Sequence, residues 1–448
     1  MKITIVAMGS RGDIQPYVAL GKELKKLGHE IHMPVPEVFK EMVLDAKLNY
    51  TPIYGIDPVA FLKRKELVEA REKKNGLSFL AKLFSDMKPL AELYFKQIME
   101  ACKGSDAIIS AFIYLGAYDI AEKLNIPCIQ SVLYPLYPTV EFPSIILPFS
   151  NKNKFFYLFN ITTHLILGEL VWLATSKWTN KIRREYLGLK PYGFFGPYLK
   201  QLKDRAPVLF AFSPHVIKKP HDWFKNWIVT GYFFNDDIEN YTPPEDLVSF
   251  IKSGSKPIYI GFGSMIDDNP IKTTEMILEA IKLSGVRAIV SAGWTDLGKD
   301  KLPDSVFLVK DVPHSWLFKN VQTTITHGGA GTAAASMRAG VPTIITPFLG
   351  DQFYWGKHLY KLGVSPKPVD FNKLNAINLS NLIKTAINDE NMKQKAKELG
   401  KLISSENGTQ KAAKIVDGYF KSYYLNPIES DIILDDMKNR YIENISRV

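Results

Sequence analysis

Residues 325–342 read ITHGGAGTAAASMRAGVP, and this stretch decides the fold. A β-branched run ends at Thr326, Gly328, Gly329 and Gly331 follow, and an Ala-rich segment continues as a helix. Glycines permit a tight turn and close backbone approach, and the unpaired amides of a helix start are aimed at an anion. The unit is a phosphate site of diphosphate size. It has neither the GxGxxG spacing of dinucleotide folds nor a Walker sequence. Gly329, Ala330, Gly331 and Thr332 supply the helix entrance, and His327 stands beside them with a hydrogen bond or a charge to offer. A lone histidine at a strand end ordinarily reads as structural; the glycine context reverses that preference.

Working outward, the same β-then-α alternation continues on both sides. PIYIGFGS (257–264), VRAIVSAG (286–293), SVFLVKD (305–311) and PTIITPF (342–348) read as strands, with helices starting near Thr273, Pro313, Gly331 and Asp351. Toward the N-terminus, ITIVAM (3–8), EIHMPVP (30–36), DAIISAF (106–112), PCIQSVL (127–133), APVLFAFS (206–213) and WIVTGYFF (227–234) form a second series. Its helices are expected at 14–28, 38–46, 77–101 and 117–124. Apolar strands separated by helices predict parallel sheets covered on both faces. The polar stretch 235–256, with Pro243, Pro244, Gly254 and Ser255, separates the two series. The expected fold class is therefore α/β, with two facing, Rossmann-like doubly wound domains, 1–240 and 241–448, and residues 423–448 crossing back to the first. Ligands bind beyond the carboxyl ends of such strands, so the expected site is an inter-domain cleft.

At 448 residues, 46% hydrophobic and 23% charged, the chain has the composition of a folded two-domain protein. The net charge of +10 is spread out, densest at 63–75 and 177–184; it suits solvated helix faces or an anionic membrane, and no nucleic-acid motif accompanies it. Cys102 and Cys128 make no disulfide framework, and the apolar run in MKITIVAMGSRGD is too short for a signal-peptide core. A cytoplasmic location is expected. Residues 155–176, FFYLFNITTHLILGELVWLATS, are about long enough to span a bilayer, yet Asn160, His164 and Glu169 lie inside them. The segment reads as a buried or membrane-facing helix, which leaves peripheral membrane contact open.

Two further motifs lie at strand ends. PFLGDQFYW places Asp351 and Gln352 after a strand of the second half, where a carboxylate and an amide suit sugar hydroxyls; Asp351 capping the next helix is an equal reading. MGSRGDIQP places Asp13 after the first strand, again with helix capping as the rival.

Taken together, MGSRGDIQP, GFGSM at Gly261, VPHSWLF at Val312, THGGAGT, RAGVPTIITPF and GDQFYWG resemble the nucleotide-sugar glycosyltransferases of GT-B fold, in the branch of the sterol glucosyltransferases and the antibiotic-decorating transferases. The resemblance implies an inverting, metal-independent transfer with no cofactor, moving a hexose from a UDP-sugar, UDP-glucose first, to the hydroxyl of a small apolar acceptor. Asp13 would be the general base, with Ser10, Arg11 and Gly12 beside it. Ser264 would contact phosphate, as would His327 and the Gly329–Thr332 entrance. Val312 and His314 would border the uracil pocket, Asp351 and Gln352 would hold the donor sugar, and Trp294 matches a position near the nucleotide, with packing an equal reading. The chain departs from many relatives in having Thr326 rather than a histidine before His327, and Asp311 where plant members stack a tryptophan on uracil. Tyr134, Tyr137 and Phe142, with the aromatic-rich 155–178 segment, suggest an apolar acceptor, with ordinary core packing the reading slightly ahead of it. A non-catalytic auxiliary protein and a nucleotide-sugar epimerase or hydrolase are the competing classes; no nucleic-acid partner is expected.

Overall fold

The structure, a computed structural model, describes residues 1–55, 76–111, 116–145, 157–203, 207–235, 241–263, 270–292, 302–310, 312–348 and 350–425. The first unit runs β1 (Lys2–Val6), α1 (Arg11–Lys26), β2 (Glu30–Pro36), α2 (Lys40–Asp45), β3 (Asn49–Ile53), α3 (Gly76–Ala101), β4 (Ala107–Ser110), α4 (Ala117–Leu124), β5 (Cys128–Val132), α5 (Tyr157–Ile182), α6 (Gly196–Lys203), β6 (Val208–Phe210) and β7 (Trp227–Val229). The second runs α7 (Glu245–Lys252), β8 (Ile258–Gly261), α8 (Pro270–Ser284), β9 (Ala288–Ser291), β10 (Val306–Val309), α9 (His314–Leu317), β11 (Thr324–Thr326), α10 (Ala330–Ala339), β12 (Thr343–Ile345), α11 (Gln352–Leu362), α12 (Ala376–Asn388), α13 (Glu390–Ser405) and α14 (Gly408–Tyr424).

The strands form two sheets, ordered β3-β2-β1-β4-β5-β6-β7 and β10-β9-β8-β11-β12, and their pairings are parallel. In each, the order reverses beside the first strand: between β1 and β4, and between β8 and β11. A crevice opens there at the carboxyl ends. The helix and loop that follow β1 carry Asp13, and the loops after β8 and β11 carry Gly263 and His327. The motifs thus stand where topology builds ligand sites. β3 has no strand signal of its own, being an edge strand with Pro52 inside it and mostly half-exposed residues.

Strand residues Ile3, Ile5, Ile109 and Leu209 are buried with Leu20 and Leu24 of α1, and Ala412, Ala413, Val416 and Phe420 of α14 complete this core. The final helix therefore packs on the first sheet, and the chain crosses back at Gly408, upstream of the 423–448 stretch expected to do so; residues 426–448 lie outside the described residues. The crossing is tight. A Cβ on Gly408 would fall 2.6 Å from the backbone of Gly231 and Tyr232. A second apolar cluster, with Phe210, Phe212, Trp223 and Trp227 from one unit and Met337, Trp355, Leu359 and Ile403 from the other, joins the two units. Helix α5 is anchored at its far end by Arg183, whose buried guanidinium pairs with Asp119 and with Glu122 at 3.1 Å.

Candidate active site

Helix α1 starts at Arg11, ahead of the expected Ile14, so Arg11, Gly12 and Asp13 form its first turn with Ser10 at the N-cap. Both the Ser10 amide and the Ser10 hydroxyl donate to Asp13 Oδ2, each at 2.8 Å. Gly9 makes room: a Cβ there would lie 2.4 Å from that oxygen. The helix-capping reading of Asp13 is thus correct as geometry. Its feared consequence, a weak base, does not follow, because burial raises the Asp13 carboxyl more than the two Ser10 bonds lower it.

Across the cleft, Gly328 turns the chain at φ +88°, where a Cβ would strike Ile345. Gly329 is the N-cap of α10, without a side-chain cap, and the first helical bond runs from the Ala333 amide to Gly329 O at 2.9 Å. The amides of Ala330, Gly331 and Thr332 therefore have no partner within the helix. Beside Gly331 a Cβ would meet open space. The His327 ring lies between two glycines: a Cβ would come within 3.0 Å of it at Gly263 and 2.5 Å at Gly329. Its Nδ1 is buried and lacks a hydrogen-bond partner among the described residues. Burial holds the imidazole at about 4, so it is neutral at pH 7 and offers a hydrogen bond rather than a charge.

His314 stacks on Phe318 at 4.4 Å and approaches the Tyr259 hydroxyl at 3.5 Å. It too is held at about 4, by burial first and then by Arg11 and His327. An arginine of the first unit thus acts on His314 of the second, and α1 also contacts α10, so both helix starts face one crevice. Val312 packs beside this cluster, against the core that holds Tyr259 and Phe318. Tyr259 carries no motif, and the only sequence signal for it is its place on the strand before GFG. Ser264 and Trp294 lie outside the described residues.

Asp351 occupies the N-cap position of α11, but its side chain caps no amide and instead accepts from Trp355 Nε1 at 3.2 Å. Burial, and next the charge of Asp13, raise it to about 6. That effect places the two carboxylates within electrostatic reach across the cleft. Gln352 is buried, and its Oε1 accepts from the Phe348 amide at 2.8 Å, which fixes the β12–α11 loop that carries Asp351. Tyr134 is pushed well up by burial, with Asp13, Asp351 and Tyr17 adding to the shift, so its phenol belongs to the same crevice. Its sequence companion Tyr137 does not: it is core, edge-on to Phe210 and Trp227. Phe142 packs edge-on against His164 of α5. Among the described residues, the cluster suited to a cation, Glu141, His221 and Asp222, is exposed and shares no residue with the crevice.

Residues 3–143 match the glycosyltransferase family 28 N-terminal domain, and residues 209–406 match the UDP-glucoronosyl and UDP-glucosyl transferase family. The chain is 34% identical to the sterol 3-beta-glucosyltransferase UGT80B1 of Arabidopsis thaliana over 94% of its own length and 68% of that protein. It is 33% identical to the sterol 3-beta-glucosyltransferase of Leptosphaeria maculans, over 93% of its own length and 28% of the fungal protein. The chain thus spans about two thirds of the plant relative and under a third of the fungal one. Among solved structures, the calicheamicin glycosyltransferase CalG4 superposes with a TM-score of 0.66 at 15% identity, covering 94% of this chain and 99% of that one. The glycosyltransferase VinC in complex with dTDP gives 0.63 at 15%, covering 93% and 98%. These likenesses show the GT-B fold, and the identity to the plant protein over both units shows that the chain belongs to the UDP-glycosyltransferase family.

Proposed function

We propose that the chain is an inverting, metal-independent hexosyltransferase that moves glucose from UDP-glucose to the hydroxyl of a sterol-like acceptor. The observation that carries this reading is one crevice with a carboxylate of raised basicity, Asp13, on one wall and an uncapped, glycine-lined helix start on the other. The relatives' names supply the sugar and acceptor classes.

In this mechanism Asp13 takes the acceptor proton as the oxygen bonds to the anomeric carbon, and the bond to the diphosphate breaks on the opposite face. The departing charge meets the amides of Ala330, Gly331 and Thr332, where a helix start carries roughly half a positive charge. His327, neutral, donates one hydrogen bond, and Arg11 adds a full charge from the facing unit. Asp351 accepts from sugar hydroxyls, its loop held by Gln352. Under this account the residues named supply what a divalent ion would otherwise supply.

The test is UDP release from UDP-glucose with and without a sterol, in EDTA and in magnesium. Sterol-dependent release that EDTA leaves unchanged is expected. Release without acceptor would instead mark a hydrolase, and EDTA-sensitive release restored by magnesium would contradict the metal-free part.

A further inference from the structure

Helix α5 has its polarity reversed. Its buried positions are Asn160, Thr163, His164, Gly168, Trp172, Thr175 and Ile182, whereas Phe159, Ile166, Leu170 and Leu173 are exposed, Ile166 at 53% and Leu173 at 57%. The spacing of the exposed set, seven, four and three residues, keeps it on one helical face.

Three of the inward polar side chains are tied to the loop before the helix. Asn160 Nδ2 donates to Val140 O at 2.7 Å, Thr163 Oγ1 accepts from the Ser144 amide at 2.9 Å, and His164 Nε2 lies 3.1 Å from Phe142 O. Those bonds fix the loop that leads from Tyr134, so the helix is tied to the crevice from its inner side. A helix that spends its hydrogen-bonding side chains inward and shows an apolar stripe outward is matched to an apolar medium. Glu169, the only carboxylate between Tyr157 and Leu173, borders the stripe half-buried, with one oxygen buried and without a partner among the described residues, and burial raises its carboxyl toward the neutral form that an apolar face tolerates.

Two neighbouring features select the medium. Phe194 and Phe195 are exposed at 73% and 59% beside the same helix, where Gly196 sits directly against Trp172. At its C-terminal end the outer face continues into exposed Lys177 and Arg184. Apolar side chains bordered by cations complement an anionic lipid surface, whose tails and headgroups present those two layers in that order. A carrier of this face free in water would expose a large apolar patch.

We infer that the outer face of α5, with Phe194 and Phe195, docks on an anionic bilayer, with the Lys177 and Arg184 end at the headgroups. The assignment is independent of the acceptor's identity, and its test reads binding rather than turnover. The full chain is sedimented with phosphatidylcholine vesicles, with and without phosphatidylserine, at low and high salt. Wild type is expected to pellet with the serine-containing vesicles and to be released by salt. Ile166→Glu/Leu173→Glu, at two exposed positions, is expected to lower partitioning on the order of tenfold while the thermal shift given by UDP stays that of wild type. Lys177→Glu/Arg184→Glu is expected to abolish the preference for anionic vesicles. The inference is overturned if wild type pellets with neither vesicle, or if the Glu pair binds as wild type does. It is equally overturned if wild type is a dimer that the Glu pair makes monomeric, for then a second copy covers this face.

Discussion

Gly329 shows how one residue can serve a site by having no side chain. A Cβ there would press on His327 Nε2 at 2.5 Å, at a backbone φ of −60° that any residue adopts. Gly329→Ala is therefore expected to displace the imidazole and weaken UDP binding about tenfold with little change in melting temperature. Calorimetric titration checks this, and unchanged affinity would detach His327 from the phosphates. Asp351 makes a prediction about pH. Its carboxyl is raised from 3.8 to about 6, so the native state holds a proton that the unfolded state has released, and native stability falls as pH rises through this window. Asp351→Asn removes that cost. The variant is expected to be more stable than wild type by on the order of 2 kcal/mol at neutral pH, with the gap closing toward about pH 4. Denaturant melts at the two pH values decide, and a gap that is the same at both would deny the shift.

At the scale of elements, most strands and helix starts were legible because β-branched runs and glycine punctuation coincide with them. THGGAGT is legible as a turn into a helix because the glycines leave few alternatives. The expected start of helix α1 falls three residues late, since Arg11 and Gly12 carry no apolar period and Asp13 helps close a capping box that the pattern does not display. Core packing holds for Tyr137 but not for Tyr134, because two aromatics three residues apart give no sign of which faces a core. The inward direction of Asn160 and His164 is not legible locally, because their partners are backbone carbonyls at 136–142, in the loop before α5. The α13–α14 crossing depends on contacts no local pattern reveals. There, Gly408→Ala would drive a methyl into the backbone of Gly231 and Tyr232, and a loss of about 1–3 kcal/mol is expected in a denaturant melt. Wild-type stability in that variant would mean that the crossing is loose.

For the whole molecule, the consequence of two doubly wound sheets is that two switch points meet. Neither unit alone holds the chemistry: the first brings Asp13, Arg11 and Tyr134, and the second brings His327, the α10 entrance and Asp351. The shared apolar cluster and α14 hold the units together, helped by Lys411 Nζ donating to Val229 O at 3.0 Å and by Ser213 Oγ donating to Glu406. The division of labour also separates two measurable quantities. In the proposed mechanism donor binding belongs to the second unit, whereas proton removal belongs to the first. The most direct test is therefore Asp13→Asn, with donor affinity and acceptor-dependent turnover measured on the same preparation. The account predicts that turnover falls about a thousandfold while UDP affinity stays within a factor of about two. Turnover near wild type in the Asn variant would contradict the assignment of Asp13 as the base.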